Sequence, residues 1–348
     1  MITATEARAR FEKSLQDIDA LLDRHPLPEL NGARIFGTGC TGFVGYWLLS
    51  AIESLNRRGQ SIEFVALSRD PETFLARYPE FAACRWLVPW TGNVTDFPVP
   101  EGRFDWIIHG ASDTSPGAAA LPATLLQEMG NGTRRMIESF SPEGCRGFLL
   151  LSSGAVYGEQ PAALPAFAED HPFPAESPTA TEPYAKGKRL MERECAGPHG
   201  ALPAAVIARC FAFLGPQLPE HLAPSQLMRD ALADRPITIR GDGTPQRSYL
   251  YAADLALWLL ALLVRGKAGR AYNVGGDEAV SIAGLAELVR AETACPAPIR
   301  ILGSANGEPR RRYIPDTSRA RRELGLDAWT PLATAISRMA DSIRGQSR

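Results

Sequence analysis

Residues Arg34–Gly45, RIFGTGCTGFVG, decide the fold. They read as a short apolar strand running into TGxxGxxG, with Gly39, Gly42 and Gly45 in register and an apolar helix over Tyr46–Leu55 directly behind. Glycine at those places permits a tight turn, close approach of backbone N–H groups to a pyrophosphate, and close packing of helix on strand, while the helix N-terminus faces the phosphate charge. An ordinary glycine-rich turn is the other reading of the three glycines. The strand and helix that a dinucleotide site demands are both present, however, and they make Gly39, Thr41, Gly42, Phe43, Val44 and Gly45 its candidate contacts.

The same alternation continues outward from this segment. Apolar strands are expected at Ala33–Gly37, Ile62–Ser68, Arg85–Val88, Phe104–Ala111, Gly147–Ser152 and Pro203–Ala208, separated by helical patterns. Strands joined by crossover helices argue an α/β fold, a doubly wound parallel sheet of Rossmann type, with ligands held beyond the carboxyl ends of the strands. Residues 5–24 place Phe11, Leu15, Ile18 and Leu22 at helical spacing, so a helix precedes the first strand as a packing accessory or an interface element. After about residue 211 the pattern changes to proline-rich loops, short strands near Pro236–Arg240 and Ala271–Val274, and helices near Ala252–Arg265 and Ile282–Thr293. The division expected is a helical extension over 1–30, the main part of the dinucleotide-binding domain over 31–210, and a smaller C-terminal α/β lobe over 211–348 with some segments returning to the first domain. Gln160–Pro183, rich in proline and acidic residues, reads as a long surface loop near the site.

Composition narrows the partners. In 348 residues the net charge is −2, which offers no basic face to nucleic acid or anionic lipid, so a small molecule is the expected partner. The six cysteines, at 40, 84, 145, 195, 210 and 295, form no CxxC. Neither a metal site nor a disulfide framework is indicated, which fits a reduced cytoplasmic setting. The longest apolar run, Leu255–Val264, is too short to span a bilayer, and no membrane anchor is expected.

Chemistry is concentrated in a second region. Tyr184 and Lys188 stand four residues apart in a helical pattern over Glu182–Cys195 and share one face, so the ammonium can stabilise the phenolate and make tyrosine a usable proton acceptor. A pair on a solvated helix face is the alternative. Upstream, LLLSSGAVYG (Leu149–Gly158) is an apolar strand ending in Ser152–Ser153, where a hydroxyl can bond a substrate oxygen or simply cap a turn.

Fingerprint, strand-end serine followed by AVYG, and YxxxK in that order resemble the extended short-chain dehydrogenase/reductase family, the NAD(P)-dependent nucleotide-sugar epimerases and dehydratases. The likeness runs over about residues 33–330 and includes GNVTD (Gly92–Asp96), IIHGAS (Ile107–Ser112), GT at Gly132–Thr133, ARCFAFLGP (Ala208–Pro216), GDGTPQRSYLYAADLA (Gly241–Ala256), AYNVGG (Ala271–Gly276) and DTSRARRELG (Asp316–Gly325). The resemblance implies that Tyr184 is the general acid/base at a sugar hydroxyl, that Ser153 shares its hydrogen bond, and that Lys188 holds the nicotinamide ribose and lowers the tyrosine pKa. Gly110, Ala111 and Ser112 then line the cofactor, Asn93 and Val94 lie near the adenine, and Arg247 clamps the sugar-nucleotide diphosphate, unless it is an ordinary surface arginine. Asp254 reads equally as a helix cap. The smaller lobe is then substrate-binding, and a cytosolic homodimer is the family's usual state.

Three departures from the family pattern limit the function. Ala66–Asp70 reads ALSRD, so Ser68–Arg69 replaces the acidic residue that binds the adenosine ribose; a cation there suits a 2′-phosphate and favours NADP over NAD, although Asp70 could still reach a hydroxyl. Gly154 and Ala155 stand where dehydrating relatives carry acidic residues, which disfavours 4,6-dehydration and the decarboxylase pattern. Met129 stands where an asparagine is usual, altering a water path or repacking the helix. What remains is redox at C4 of a nucleotide-diphosphate sugar: a 4-epimerase first, an NADPH-dependent 4-ketoreductase of a deoxysugar next, and a non-catalytic cofactor-binding sensor last.

Overall fold

The computed structural model describes residues 4–112, 121–140, 143–174, 182–196, 203–304 and 311–344. At its centre is a parallel sheet of seven strands: β1 (Arg34–Thr38), β2 (Glu63–Ser68), β3 (Leu87–Thr91), β4 (Trp106–His109), β5 (Gly147–Ser153), β6 (Val206–Cys210) and β7 (Ala271–Val274), in the spatial order β7-β6-β5-β4-β1-β2-β3. The order reverses direction between β1 and β4, so this Rossmann-type fold opens a crevice beyond the ends of those two strands. Every residue of β5 is buried, as a strand covered on both faces should be. Side-chain alternation sends Ile35, Ile108, Leu149 and Leu151 into one core layer and Phe36, Ile107, Leu150 and Ile207 into the other.

Helices α1 (Ala4–Leu22), α2 (Phe43–Arg57), α3 (Pro71–Arg77), α4 (Pro122–Ser139) and α5 (Glu182–Ala196) follow in chain order, with α4 and α5 packed side by side. On α1, the stripe of Phe11, Leu15 and Ile18 is almost wholly buried; the helix lies on α2 and is a packing element within the chain. Further on come α6 (Ala223–Leu232), α7 (Ala252–Arg265), α8 (Ile282–Thr293), α9 (Ser318–Leu324) and α10 (Leu332–Arg344). Three small sheets accompany them: Ala212–Leu214 with Tyr249–Tyr251, Ile237–Ile239 with Ile299–Ile301, and Gln246–Arg247 between Val280–Ser281 and Arg312–Tyr313.

Several expectations change in detail. Two segments past residue 211 belong to the central layers: Ala271–Val274 is the edge strand β7, and α7 packs on α2, α1, β5 and β6. The run Leu255–Leu263 is apolar all round because α7 is sandwiched between layers. Strand β3 continues through Pro89 to Thr91, since an edge strand has an unpaired side on which a missing N–H costs little. Strand β6 begins at Val206 and not at Pro203. The Gln160–Pro183 segment is only partly a surface loop: Phe167 is fully buried, stacks on Tyr157 with ring centroids 4.7 Å apart, and bridges to Pro315. Residues 175–181 of that segment lie outside the described residues. All six cysteines are free, and among the described residues no helix is long and apolar enough to cross a membrane.

Candidate active site

The crevice is built at β1 first. Gly39 has φ +72°, and a Cβ on it would come within 2.4 Å of the Gly110 backbone, so only glycine lets the β1 turn pass the end of β4. Gly42 is the N-cap of α2 and meets nothing within 4 Å of its missing Cβ, which leaves open space in front of the first helical N–H groups. A side chain on Gly45 would strike the Cys40 carbonyl at 2.0 Å, so the start of α2 packs directly on the turn that leaves β1. Open space, unpaired N–H groups and a switch point together fit a dinucleotide pyrophosphate.

Gly110 and Ala111 are fixed by a hydrogen-bond chain that joins residues of three separate motifs. Their N–H groups donate to Thr38 Oγ1 at 3.3 and 3.2 Å, and Thr38 Oγ1 lies 2.8 Å from His109 Nδ1. His109 Nε2 lies 3.0 Å from Thr133 Oγ1, which itself donates to the Met129 carbonyl at 2.7 Å. Since the Thr133 proton is committed, His109 donates from Nε2 and accepts from Thr38 at Nδ1. Burial, with the Lys188 charge as a smaller contribution, pushes His109 down to about 3 and keeps it neutral. The Met129 side chain packs against Gly187, the residue before Lys188, so it repacks the α4–α5 contact.

At the adenosine end, Asn93 caps its own turn, accepting from the Thr95 N–H at 3.2 Å, and Val94 packs against Gly132. The Asp70 carboxylate caps α3, accepting from the Thr73 N–H at 2.9 Å and its hydroxyl at 2.6 Å. Those bonds hold the carboxyl below its ordinary range. Ser68 Oγ accepts from the Asp70 N–H at 3.1 Å. Arg69 is exposed, and among the described residues it is paired with no carboxylate.

The reaction end lies beyond β5. Tyr184 and Lys188 share the face of α5 that meets the sheet, with the ammonium 5.6 Å from the Tyr184 ring centroid. Ser153 and Ser112, at the ends of β5 and β4, both act on the Tyr184 phenol and lower its pKa, which places the two strand ends beside one phenol. Burial nevertheless pushes that phenol up to about 12, with the neighbouring Cys210 acting in the same direction. The phenol thus stands above its ordinary value, not below it as expected from the tyrosine–lysine spacing. Lys188 donates to the Leu151 carbonyl at 2.7 Å, and burial brings its own pKa down to about 8.

The two serines separate cleanly. Ser152 donates to Glu192, which forms a buried pair with Arg209 at 2.8 Å; Arg209 also donates to the Tyr157 hydroxyl at 2.8 Å, and Tyr157 donates to Asn273 at 2.8 Å. This network locks β5, α5, β6 and β7 together behind the site and leaves Ser153 to the crevice. Arg247 is half-buried, donates to the Gln246 carbonyl at 2.9 Å, and among the described residues pairs with no carboxylate; burial lowers its pKa. Asp254 is no helix cap. It is fully buried and accepts from the Thr330 N–H and hydroxyl at 2.9 and 2.8 Å, tying α7 to the segment before α10.

A parallel sheet with its switch point over a glycine-rich helix start defines a dinucleotide-binding α/β protein. The chain belongs to the NAD dependent epimerase/dehydratase family, whose model matches residues 35–275. Among its relatives, a dTDP-glucose 4,6-dehydratase of Streptomyces griseus is 27% identical over 312 residues, covering 86% of this chain and 90% of the relative. A UDP-glucuronic acid decarboxylase of Arabidopsis thaliana is 28% identical over 324 residues, covering 90% and 70%. The crystal structure of a UDP-glucuronic acid 4-epimerase from Bacillus cereus, in complex with UDP-glucuronic acid and NAD, superposes with a TM-score of 0.73 over 89% of this chain and 99% of that one, at 22% identity.

Proposed function

We propose that this protein acts at C4 of a nucleotide-diphosphate sugar through a 4-keto sugar, as a 4-epimerase. The observation that carries the reading is Ser153, Tyr184 and Lys188 gathered at the end of β5 with, among the described residues, no acidic group free to act: Gly154 and Ala155 follow Ser153, the space over Gly154 is taken by Phe211 and Tyr313, and Glu192, which acts on Lys188, is bonded to Ser152 and Arg209. Elimination of the C6 oxygen needs a second acid/base group there, and this site has none among the described residues.

The cofactor-binding set of this reading is Gly39, Thr41, Gly42, Phe43, Val44, Gly45, Ser68, Arg69, Asn93, Val94, Gly110, Ala111 and Ser112, with Tyr184 and Lys188 at the nicotinamide end. When bound, the nicotinamide takes hydride from the sugar carbon or returns it, and in its oxidised form adds a positive charge. Tyr184 takes the proton of the 4-hydroxyl as that carbon becomes a carbonyl and gives it back on reduction. Ser153 hydrogen-bonds the same oxygen, and Lys188 supplies positive charge four residues along α5. Arg247, with a half-buried guanidinium that no carboxylate among the described residues neutralises, holds the diphosphate. A cytosolic homodimer belongs to the same reading, with the mass in solution as its check.

A second reading, an NADPH-dependent 4-ketoreductase, is favoured by the β2 end, where Asp70 is committed to α3 and Arg69 is unpaired among the described residues. Denaturing the purified protein and weighing any released dinucleotide separates the two. Retained NAD, together with interconversion of C4 epimers of UDP-glucose or UDP-glucuronic acid seen by proton NMR, supports the epimerase. An empty protein that binds NADPH far better than NADH supports the ketoreductase. Formation of a 4-keto-6-deoxy sugar from dTDP-glucose overturns both.

A further inference from the structure

Two side chains of α5 take hold of consecutive residues of β5. Lys188 donates to the Leu151 carbonyl at 2.7 Å, and Ser152, the next residue along the strand, donates from Oγ to Glu192 Oε1 at 2.5 Å. The strand pleat sends Ser152, like Leu150, to the face that α5 covers, where Met191 and Tyr184 also pack. Tyr184, Lys188 and Glu192 follow one another at intervals of four residues, so both anchors lie on the side of the helix that carries the phenol. A single anchor lets a helix pivot. Two anchors one turn apart fix its rotation and its height over the strand, and Tyr184 stands just one turn before the first of them.

The second anchor is itself held. From β6, Arg209 clasps the Glu192 carboxylate, with Nε 3.1 and 3.3 Å from its two oxygens and Nη2 donating at 2.8 Å. Arg209 is the register partner of Ser152 on the neighbouring strand, and both members of the ion pair are buried. Its Nη1 donates to the Tyr157 hydroxyl and to the Glu169 carbonyl, each at 2.8 Å. Two buried hydroxyls of this network therefore have different places. Ser152 joins β5 to the helix that carries Tyr184, whereas Tyr157, donating to Asn273 at 2.8 Å, lies on the far side of Arg209.

We infer that Ser152 and Glu192 are positioning residues: their bond, beside that of Lys188 to Leu151, clamps α5 to the end of β5 and sets the Tyr184 phenol in register with Ser153. This rests on the assignment of Tyr184 as the acid/base. The consecutive serines then have separate duties, one held by the helix and the other left to the substrate.

Ser152→Ala is the cleanest cut, because it removes the anchor and leaves Glu192 and Arg209 paired; shortening Glu192 would strand a buried guanidinium. Tyr157→Phe is the matched control, since it also deletes a buried hydroxyl while Arg209 Nη1 keeps the Glu169 carbonyl. Both should lower Tm by a similar few degrees. The test compares these two with wild type and Tyr184→Phe, all with NAD, on whichever of UDP-glucose, UDP-glucuronic acid and dTDP-glucose the wild type converts. Ser152→Ala should lower kcat about ten- to a hundredfold and leave KM within about twofold, as a small displacement of the acid/base predicts. Tyr157→Phe should keep kcat within about twofold. An unchanged kcat in Ser152→Ala, a loss confined to KM, or an equal loss of kcat in Tyr157→Phe, with Tyr184→Phe inactive, overturns this inference alone. Full turnover in Tyr184→Phe overturns the acid/base assignment and the inference with it.

A second readout needs no turnover and decides the matter should none of the three sugars be converted. The chain has four lysines, Lys13, Lys186, Lys188 and Lys267, so protein labelled with carbon-13 at lysine Cε gives four signals, of which Lys188 is the one lost in Lys188→Arg. That signal should move in Ser152→Ala and stay in place in Tyr157→Phe. Movement in neither variant, or equally in both, overturns the clamp.

Discussion

The carboxyl ends of β2 and β5 lie in one sheet and face one crevice, yet they handle charge in opposite ways. At β2 the groups are exposed: Arg69 stands in water, and Asp70 is spent on capping α3. At β5 they are buried, and burial dominates at both members of the tyrosine–lysine pair: the Tyr184 phenol is pushed up to about 12 and the Lys188 ammonium down to about 8. An exposed end can select a ligand by the sign of a charge, because identity alone sets that sign. A buried end can move protons, because there the environment sets the pKa.

The sharpest way to break this comparison is Tyr184→Phe. It should lower turnover by about a thousandfold or more while leaving dinucleotide binding within about twofold, measured by steady-state kinetics beside a fluorescence titration. Retained turnover would put the proton chemistry elsewhere. At the exposed end, Arg69→Ala should weaken NADP about ten- to a hundredfold and NAD hardly at all, since only the 2′-phosphate meets the guanidinium. Equal losses for both would mean that Arg69 does not read that phosphate.

Smaller effects sharpen the contrast. Gly154→Ala should cost about 1–3 kcal/mol of stability in a denaturant titration, because its methyl must displace the Phe211 and Tyr313 rings. An alanine at Gly42, at the open end of the crevice, should cost far less in the same titration.

The smallest effect tests burial away from the site. Asp254 is pushed from 3.8 up to about 6 by burial, so between those pH values the folded chain keeps a proton that the unfolded chain has lost. Its contribution to stability should therefore fall as pH rises from about 4 to about 6. The Tm gap between wild type and Asp254→Asn should narrow over the same range, and a constant gap would show that the carboxyl titrates normally.

What the sequence made legible follows the same division. The β1 motif, the strand–helix alternation and the tyrosine–lysine spacing are local, and glycine geometry or helical periodicity translates each directly into structure. Ser68 and Arg69 were also readable as a departure, because a missing carboxylate is visible by type. Tyr313 and His109 were not. Tyr313 reaches the site through a two-residue strand paired with Arg247, 66 positions earlier, and His109 matters through partners on β1 and α4. Nor could spacing foretell that the Tyr184 phenol would be raised, because desolvation depends on what covers a group. The edge strand β7 escaped for a related reason: AYNV carries no sign of which sheet it joins.

Helix α1 has a consequence in time. Asp17 accepts a hydrogen bond from Tyr251, 234 residues away, and pairs with Arg338 at 3.1 Å. A ribosome adding about 5–20 residues per second leaves a wait of more than ten seconds before Tyr251 exists, and longer before Arg338 does. Through that interval Phe11, Leu15 and Ile18 can rest only on α2 and on Phe81, so the nascent chain carries an incompletely covered seam until α7 and then α10 arrive to close it.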